Sequence, residues 1–461
     1  MISKEQQLAA YRCEDCGHHS PKWFGRCPKC SSWSTQSGPT VATAAVTTLG
    51  PKTCAPARIE SGIAEVDRVL GGGFVSGEVC LLAGEPGIGK STLVLQLLDA
   101  LGLSGRSTLL VTGEESPAQV ALRAARLQVD GERLRATSET SVEGILEACG
   151  QEQPEVVVVD SIQTIEMAGL EQAAGSPLQL RDCTAALGRY AKQGGAVVVL
   201  VGHVTKDGGI AGPKTLEHMV DAVLSLEGER TTSLRLLRAV KNRFGSCEET
   251  GVFVMGRRGL EAVVDPSAML LADRRRGVTG SVVFPGLEGS RCVLIEMQAL
   301  VAPPSSGQPR RVAQGLEGRR LALLLGVLSK HVSLQLAPRD VFASAAGGIA
   351  VREPASDLAV LLALVSAATD IPVEEDLVAV GEVGLAGEVR RVPGIERRLA
   401  EAVRLGFRAA LIPRGCSDVP AQLEPVVVAD VAAAVAHIVA RAQASGPGTA
   451  PAVPELESLS A

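Results

Sequence analysis

Gly84-Glu85-Pro86-Gly87-Ile88-Gly89-Lys90-Ser91 fills every fixed position of the pattern G-x-x-x-x-G-K-[ST], with Thr92 directly after it. The apolar run Val79-Cys80-Leu81-Leu82-Ala83 before it predicts a buried strand. Thr92-Leu93-Val94-Leu95-Gln96-Leu97-Leu98 after it has helix-forming composition. Glycines in such a strand–loop–helix turn let backbone N–H groups curl around phosphate oxygens at the helix start. Lys90 then reaches the β- and γ-phosphates, and the Ser91 hydroxyl completes a Mg²⁺ shell. The stretch predicts an α/β domain that binds a nucleoside triphosphate.

The remainder of the chain must hold more than this one domain, because 461 residues exceed what a single core organises. The uncharged apolar stretch around Gly194 to Gly202 is far too short to span a bilayer. Met1-Ile2-Ser3-Lys4-Glu5-Gln6-Gln7 lacks the apolar core of a signal peptide, so a cytoplasmic location away from membranes is expected. A net charge of −6 gives no global attraction to nucleic acid, and any such contact must come from local basic loops. Eleven cysteines without an export signal point to reduced thiols and metal ligands rather than disulfides.

Four of those cysteines form two knuckles, Cys13-x-x-Cys16 and Cys27-x-x-Cys30. Their spacing can place four thiolates around Zn²⁺, and a module of about 25 residues has no adequate core without a metal. Tyr11, Trp23, Phe24 and Trp33, four of the chain's eleven aromatic residues, crowd into the same segment and are expected to pack over the knuckles. Four cysteines close the site, which makes the zinc structural and leaves His18 and His19 as surface residues. Cys54, Cys80, Cys149, Cys183, Cys247, Cys292 and Cys416 lack metal-like pairing and read as ordinary thiols.

Thr35 to Ala57 turns to Ser, Thr, Ala, Gly and Pro without periodicity and reads as a linker. Ile63, Val66, Val69 and Leu70 then recur at helical spacing before Gly71-Gly72-Gly73. Leu109-Leu110-Val111-Thr112 is a second buried-strand candidate ending in Gly113-Glu114-Glu115-Ser116. An acidic residue at that strand end suits a water-activating base, and Glu114 is the favoured one. Ser116-Pro117 looks like a helix N-cap and first turn, which makes Glu115 partly structural. Val156-Val157-Val158-Val159-Asp160 has the Walker B form, placing Asp160 to hold Mg²⁺ with Ser161 beside it. Ala196 to Val201 is a further strand, leading into Gly202-His203-Val204-Thr205-Lys206, where His203 sits at a γ-phosphate sensor position. The following Asp207 to Lys214, with Lys206 directly before it and Lys214 at its end, could contact a DNA backbone or be an ordinary surface loop. Strand-like Ser233 to Val240 leads into Lys241-Asn242-Arg243-Phe244-Gly245, whose cations could be solvated or could reach a neighbouring subunit's nucleotide.

The two CxxC knuckles, the phosphate loop, Val159-Asp160-Ser161-Ile162-Gln163-Thr164, Gly202 to Lys206 and Lys241-Asn242-Arg243-Phe244-Gly245 together resemble the bacterial RadA (Sms) family of DNA-repair proteins, over about Tyr11 to Arg441. The resemblance implies a RecA-like ATPase core assembled as a hexameric ring that acts on DNA in recombination. It implies Glu114 as catalytic glutamate, His203 as the sensor coupled to the DNA-binding loop, and Lys241 and Arg243 as cations reaching ATP across a subunit interface. The region from about Gly277 to Arg441 is similar to the proteolytic domain of Lon proteases, through Gly347-Gly348-Ile349, Glu353 to Ala359 and Gly381 to Val389. Their nucleophile position falls on Ala355 and their lysine position on Glu396, so both halves of the dyad are missing and an architectural role is expected. Arg310-Arg311, Arg319-Arg320, Arg390-Arg391 and Arg397-Arg398 could offer a DNA surface or lie on solvated helices and turns.

The expected organisation is therefore an α/β chain with a C4 zinc ribbon over 10–34, a linker over 35–57 and a RecA-like P-loop ATPase core over 58–272, its sheet mostly parallel. A Lon-protease-like α/β domain over 277–441 and a disordered tail over 442–461 follow. The expected function is a DNA-dependent ATPase of homologous recombination and repair, a ring-shaped helicase or translocase on single-stranded DNA using ATP, Mg²⁺ and Zn²⁺. Branched DNA and a RecA-type recombinase are its expected partners. The rival is an ATP-gated scaffold that positions a recombinase on branched DNA without unwinding.

Overall fold

The computed structural model describes residues 11–13, 15–16, 18–20, 25–33, 35–36, 57–203, 215–228, 233–304 and 307–444. Lys206, Lys214, Trp23, Phe24, Cys54 and most of the expected linker and tail lie outside them. The chain divides into two units, Met1–Ala55 and Pro56–Ala461.

In the first unit, β1 (Tyr11–Cys13) is flanked by β2 (His19–Ser20) and β3 (Thr35–Gln36), both antiparallel to it. Cys13 is paired with Thr35, so the ribbon takes in two residues that read as linker from composition. Trp33 is 75% exposed and does not pack over the knuckles as expected. The buried Cys13 and Cys27 thiols supply the interior instead.

The second unit opens with a short hairpin, β4 (Arg58–Ile59) and β5 (Phe74–Val75), around α1 (Ala64–Leu70). Strands and helices then alternate: β6 (Val79–Gly84), α2 (Lys90–Leu103), β7 (Thr108–Thr112), α3 (Pro117–Leu127), β8 (Ala136–Thr137), α4 (Val142–Glu152), β9 (Val156–Asp160), α5 (Pro177–Gly194) and β10 (Val197–His203). Ser116, Ser141 and Ser176 cap α3, α4 and α5 through side-chain acceptors, and Pro117 and Pro177 occupy first-turn positions that need no N–H. After α6 (Thr215–Met219) come β11 (Ala222–Glu227), β12 (Leu234–Asn242), β13 (Thr250–Gly256) and β14 (Gly259–Ala262). The nine-stranded sheet runs β14-β13-β12-β11-β6-β10-β9-β7-β8. It is parallel from β11 to β8, and β12 to β14 extend it antiparallel. The central strands are apolar on both faces, as a sheet covered by helices on each side demands, and Val156 to Val159 are fully buried.

Register puts the site together. His203 lies opposite Gly84, Asp160 opposite Val201, and Thr112 opposite Asp160. Four strand ends therefore open on one edge of the sheet, where ligands bind in open α/β folds.

A second sheet, β17-β18-β16-β15-β19-β22-β23, organises the C-terminal part. Its elements are α7 (Pro266–Leu271), β15 (Ser281–Glu288), β16 (Arg291–Ala302), β17 (Arg311–Gln314), α8 (Gly318–His331), β18 (Asp340–Ala345), α9 (Asp357–Thr369), β19 (Leu377–Ala379), β20 (Glu382–Val383), β21 (Val389–Arg390), α10 (Ile395–Arg404), β22 (Ala409–Pro413), β23 (Glu424–Val428) and α11 (Val431–Ala444). Helix α9 is apolar all round and is buried from Asp357 to Ser366, the expected fate of such a helix. Helix α7 packs on this second sheet: Ser267 Oγ donates to Glu401 Oε1 (2.6 Å) and accepts the Leu294 N–H (3.1 Å).

The arginine pairs do not behave as uniform basic patches. Arg398 is fully buried, donating to Glu353 (2.6 and 3.1 Å) and to the carbonyls of Pro285 (2.7 Å) and Pro393 (3.1 Å). Arg320 grips the buried Asp357, and Arg311 donates to the carbonyls of Leu336 and Ala337. In these three pairs one member is consumed by the fold. At the Lon-like dyad positions, Ala355 is buried, Glu396 is exposed, and the Ser356 hydroxyl donates to Glu353 O (2.9 Å). Lys330, the single lysine of 277–441, is exposed in the last turn of α8.

Candidate nucleotide site and metal centre

In the ribbon, the Sγ atoms of Cys13, Cys16, Cys27 and Cys30 all lie within 4.8 Å of one another. Cys13–Cys30 and Cys16–Cys27 are each 3.6 Å apart. A tetrahedral thiolate site with Zn–S near 2.3 Å has sulfur–sulfur edges of about 3.8 Å, so this cluster has the dimensions of a zinc cage. Four thiolates leave no position for water or substrate, which makes the centre structural.

The phosphate loop occupies the turn between β6 and α2. Gly87 (φ +79°) and Gly89 (φ +120°) adopt backbone conformations that suit only glycine, which is what lets the loop curl back on itself. A side chain at Gly89 would also meet Met255 at 2.6 Å. Arg235 Nε donates to Ile88 O (3.1 Å) and fixes the loop from β12. Lys90 is buried and bends over the loop, its ammonium donating to Gly84 O (2.9 Å) and Glu85 O (3.0 Å) and contacting His203 Nδ1 (3.1 Å). Burial pulls the Lys90 ammonium below its ordinary value, while the Asp160 and Glu114 charges pull it back.

The other ring nitrogen of His203, Nε2, is 3.4 Å from Glu114 Oε1, and Ser161 Oγ donates to that same oxygen at 2.6 Å. Lys90, His203, Glu114 and Ser161 thus form one continuous polar chain across the strand ends. The Ser161 hydrogen bond is the foremost reason that the Glu114 carboxyl is held below its usual range, with His203 and Lys90 adding to it. Asp160 moves the other way, pushed up by burial and relieved by a hydrogen bond from Ser91. Ser91, Thr112, Glu114, Arg123 and Asp160 line a cavity of 70 Å³. The Ser91 hydroxyl and the Asp160 carboxylate offer it the hard oxygens that Mg²⁺ prefers.

Glu115 is engaged structurally: it pairs with Arg123, and its backbone is tied to the Thr112 hydroxyl (2.8 and 3.2 Å). A reciprocal capping box between Ser116 and Gln119 starts α3 directly afterwards. The two neighbouring glutamates are thereby given different tasks by local structure.

Lys241 and Arg243 are not brought to this site. Ala222 pairs with Cys80 on one side and with Asn242 on the other, whereas Leu226 pairs with Gly84. The two cations therefore lie at the opposite end of β6, about 13 Å away at 3.3 Å per residue. Ser161 was legible only as a neighbour of Asp160; its hold on Glu114 follows from the β7–β9 pairing, which no local pattern records.

A phosphate loop completed by a buried strand-end aspartate, on a sheet with RecA-like parallel and antiparallel parts, defines a P-loop ATPase. The family model for an AAA domain matches residues 46–209. The rubredoxin metal-binding-domain model matches 11–35, and the model for subunit ChlI of Mg-chelatase matches 334–415. Within the ATPase class, the chain belongs to the family of the DNA repair protein RadA. It is 48% identical to the DNA repair protein RadA of Pseudomonas aeruginosa over 91% of this chain and 96% of that one. The corresponding protein of Bacillus subtilis is 44% identical over 92% and 97%, and that of Mycobacterium tuberculosis 42% identical over 93% and 93%. Among the described residues, no helix is long and apolar enough to cross a membrane.

Proposed function

We propose that the protein is a DNA-dependent ATPase of homologous recombination and DNA repair, a ring-shaped translocase on single-stranded DNA that processes or branch-migrates recombination intermediates in the cytoplasm. The observation that carries the reading is the Lys90–His203–Glu114–Ser161 chain. ATP binds with its phosphates on the loop 84–92, and Lys90 exchanges its backbone carbonyl partners for the β- and γ-phosphates. Glu114 polarises the attacking water. Ser91 and Asp160 would hold Mg²⁺, which would supply charge neutralisation on the transferring phosphoryl group. His203 touches both Lys90 and Glu114, so loss of the γ-phosphate is felt at the residue that leads directly into 204–214, where Lys206 and Lys214 would meet a DNA backbone. The relatives' name, DNA repair protein, supports DNA as the substrate lattice.

Assembly enters through Lys241 and Arg243. Their distance from their own phosphate loop suits service to the nucleotide of the next subunit, and a head-to-tail contact of that kind closes into a ring, here a hexamer. A RecA-type recombinase and branched DNA are the partners this activity serves.

The test is ATP-dependent strand displacement on a forked DNA substrate by the full chain, with Lys90→Ala as control. Displacement by the wild type and none by Lys90→Ala is expected. ATP-sensitive DNA binding without displacement would replace the translocase with an ATP-gated scaffold, and full turnover by Lys90→Ala would sink both.

A further inference from the structure

Lys241 and Arg243 are held by one short segment, 217–221, at the corner between α6 and β11. Lys241 Nζ donates to Glu217 O (2.6 Å) and Val220 O (2.7 Å). Arg243 donates through Nη1 to Asp221 Oδ1 (2.9 Å) and through its backbone N–H to Asp221 O (3.1 Å). Asp221 is itself 3% exposed and locked to the first residue of β6. Its Oδ2 accepts the Val79 N–H (3.1 Å), and its own N–H donates to Val79 O (2.8 Å). Lys192 of α5 stands 3.8 Å from the same carboxylate.

This is an unsymmetrical ion pair. Asp221 is buried, whereas the Arg243 side chain is 50% exposed, so the guanidinium is anchored on one side and open on the other. Lys241 has three donors and spends two on carbonyls, which accept without neutralising its charge. Both cations are thus fixed in place while keeping positive charge to offer elsewhere. The corner that fixes them is the end of α6, and α6 begins at Thr215, the residue after Lys214.

From this we infer that Asp221 is a positioning residue: with the Glu217 and Val220 carbonyls it seats Arg243 and Lys241 for delivery to the neighbouring subunit's nucleotide. Through α6, the seat is continuous with the segment that carries Lys206 and Lys214. The inference rests on the proposed trans role of the two cations.

The experiment mixes full-length subunits in equal parts and reads ATP hydrolysis with single-stranded DNA. Arg243→Ala alone and Lys90→Ala alone are inactive; mixed, the intact pocket of one meets the intact cations of the other at about a quarter of the interfaces of a randomly filled ring. Asp221→Asn alone is expected to lose at least tenfold in rate with unchanged ATP affinity, and to regain activity on mixing with Lys90→Ala to the same extent as Arg243→Ala. Rescue of Arg243→Ala but not of Asp221→Asn would overturn the inference, because Asp221 would then be serving its own subunit through Val79 and β6. Rescue of neither would overturn the trans reading itself and the inference with it. Wild-type turnover by Asp221→Asn would also overturn it. Asp221→Glu, which keeps the charge facing Lys192 and the Val79 N–H, carries the same test where the asparagine variant does not fold.

Discussion

Ser161→Ala isolates the part of the site that orients the proposed base. Ser161 is fully buried beneath Glu114, and its hydroxyl donates to Glu114 Oε1 at 2.6 Å. The competing contact, from His203 Nε2, is longer at 3.4 Å, outside the usual 2.7–3.2 Å of an N–H···O bond, so Ser161 is the principal holder of that carboxylate. A hydrogen bond to a charged group contributes about 1.5–3 kcal/mol. At about 1.4 kcal/mol per factor of ten, its loss from the oriented state lowers kcat roughly 10- to 100-fold. ATP affinity is expected to change little, because Ser161 is not among the residues lining the cavity of Ser91, Thr112, Glu114, Arg123 and Asp160 and reaches it only through Glu114. The same donor holds the Glu114 carboxyl down, so removing it lets that carboxyl rise toward its ordinary range. A base must be ionised to act, and the acid limb of kcat therefore moves to higher pH in the variant. Steady-state hydrolysis across pH at saturating ATP, with nucleotide affinity by calorimetry, measures all three effects. A variant with wild-type kcat and an unmoved acid limb, or one whose loss appears in ATP affinity, would refute the assignment of Ser161 as the orienting group.

Two further outcomes concern buried charge. Glu78 is 2% exposed, and burial pushes its carboxyl up to about 7, with the Asp221 charge adding to the effect. Raised in the folded chain, this group contributes stability that is complete below its unfolded value near 4.5 and is lost as pH climbs through about 7. A rise of that size corresponds to about 3 kcal/mol. Glu78→Gln keeps an acceptor for the Val75 N–H and should unfold at higher urea than the wild type at pH 8, the gap closing toward pH 5; a gap independent of pH would count against the burial argument. Arg398→Met removes a fully buried guanidinium from Glu353, whose side chain is 27% exposed and keeps the Leu287 N–H, and should cost about 1.5–3 kcal/mol in denaturant titrations. Adding Glu353→Gln should recover part of that loss, and strict additivity of the two changes would show that the pair is not coupled.

What could be read from the chain before its fold was known follows a physical division. The phosphate loop, Asp160 and His203 each end an apolar run, and the four cysteines carry their geometry in their spacing, so local sequence suffices for them. Ser161 meets Glu114 only because β7 and β9 pair with Thr112 opposite Asp160. Register across non-adjacent segments leaves no local trace. The strand Thr35–Gln36 is two residues long, below the length at which alternation can be recognised. Arg397-Arg398 reads as a solvated pair because charge predicts exposure, yet the Arg398 guanidinium is fully buried, satisfied by one carboxylate and two carbonyls. A buried arginine needs all of its partners at once, and those come from Pro285, Glu353 and Pro393, scattered over more than a hundred residues.

Strand β6 ties these threads to the proposed mechanism. Its first residue, Val79, is bonded to Asp221, where the cations proposed to serve a neighbour are seated; its last, Gly84, starts the loop proposed to hold the subunit's own nucleotide. Four buried residues separate the two, and the strand spans about 17 Å at 3.3 Å per residue. Neighbouring strands β10 and β11 hold it on both sides, so it behaves as a strut rather than a hinge. A strut cannot bring the cations to the subunit's own phosphate loop by bending. In the proposed ring it does the opposite: it keeps a fixed distance between the site a subunit uses and the site it completes. Hydrolysis that needs both sites is then tied to assembly by the length of one strand, and the corner at α6 is where that fixed spacing meets the segment proposed to touch DNA.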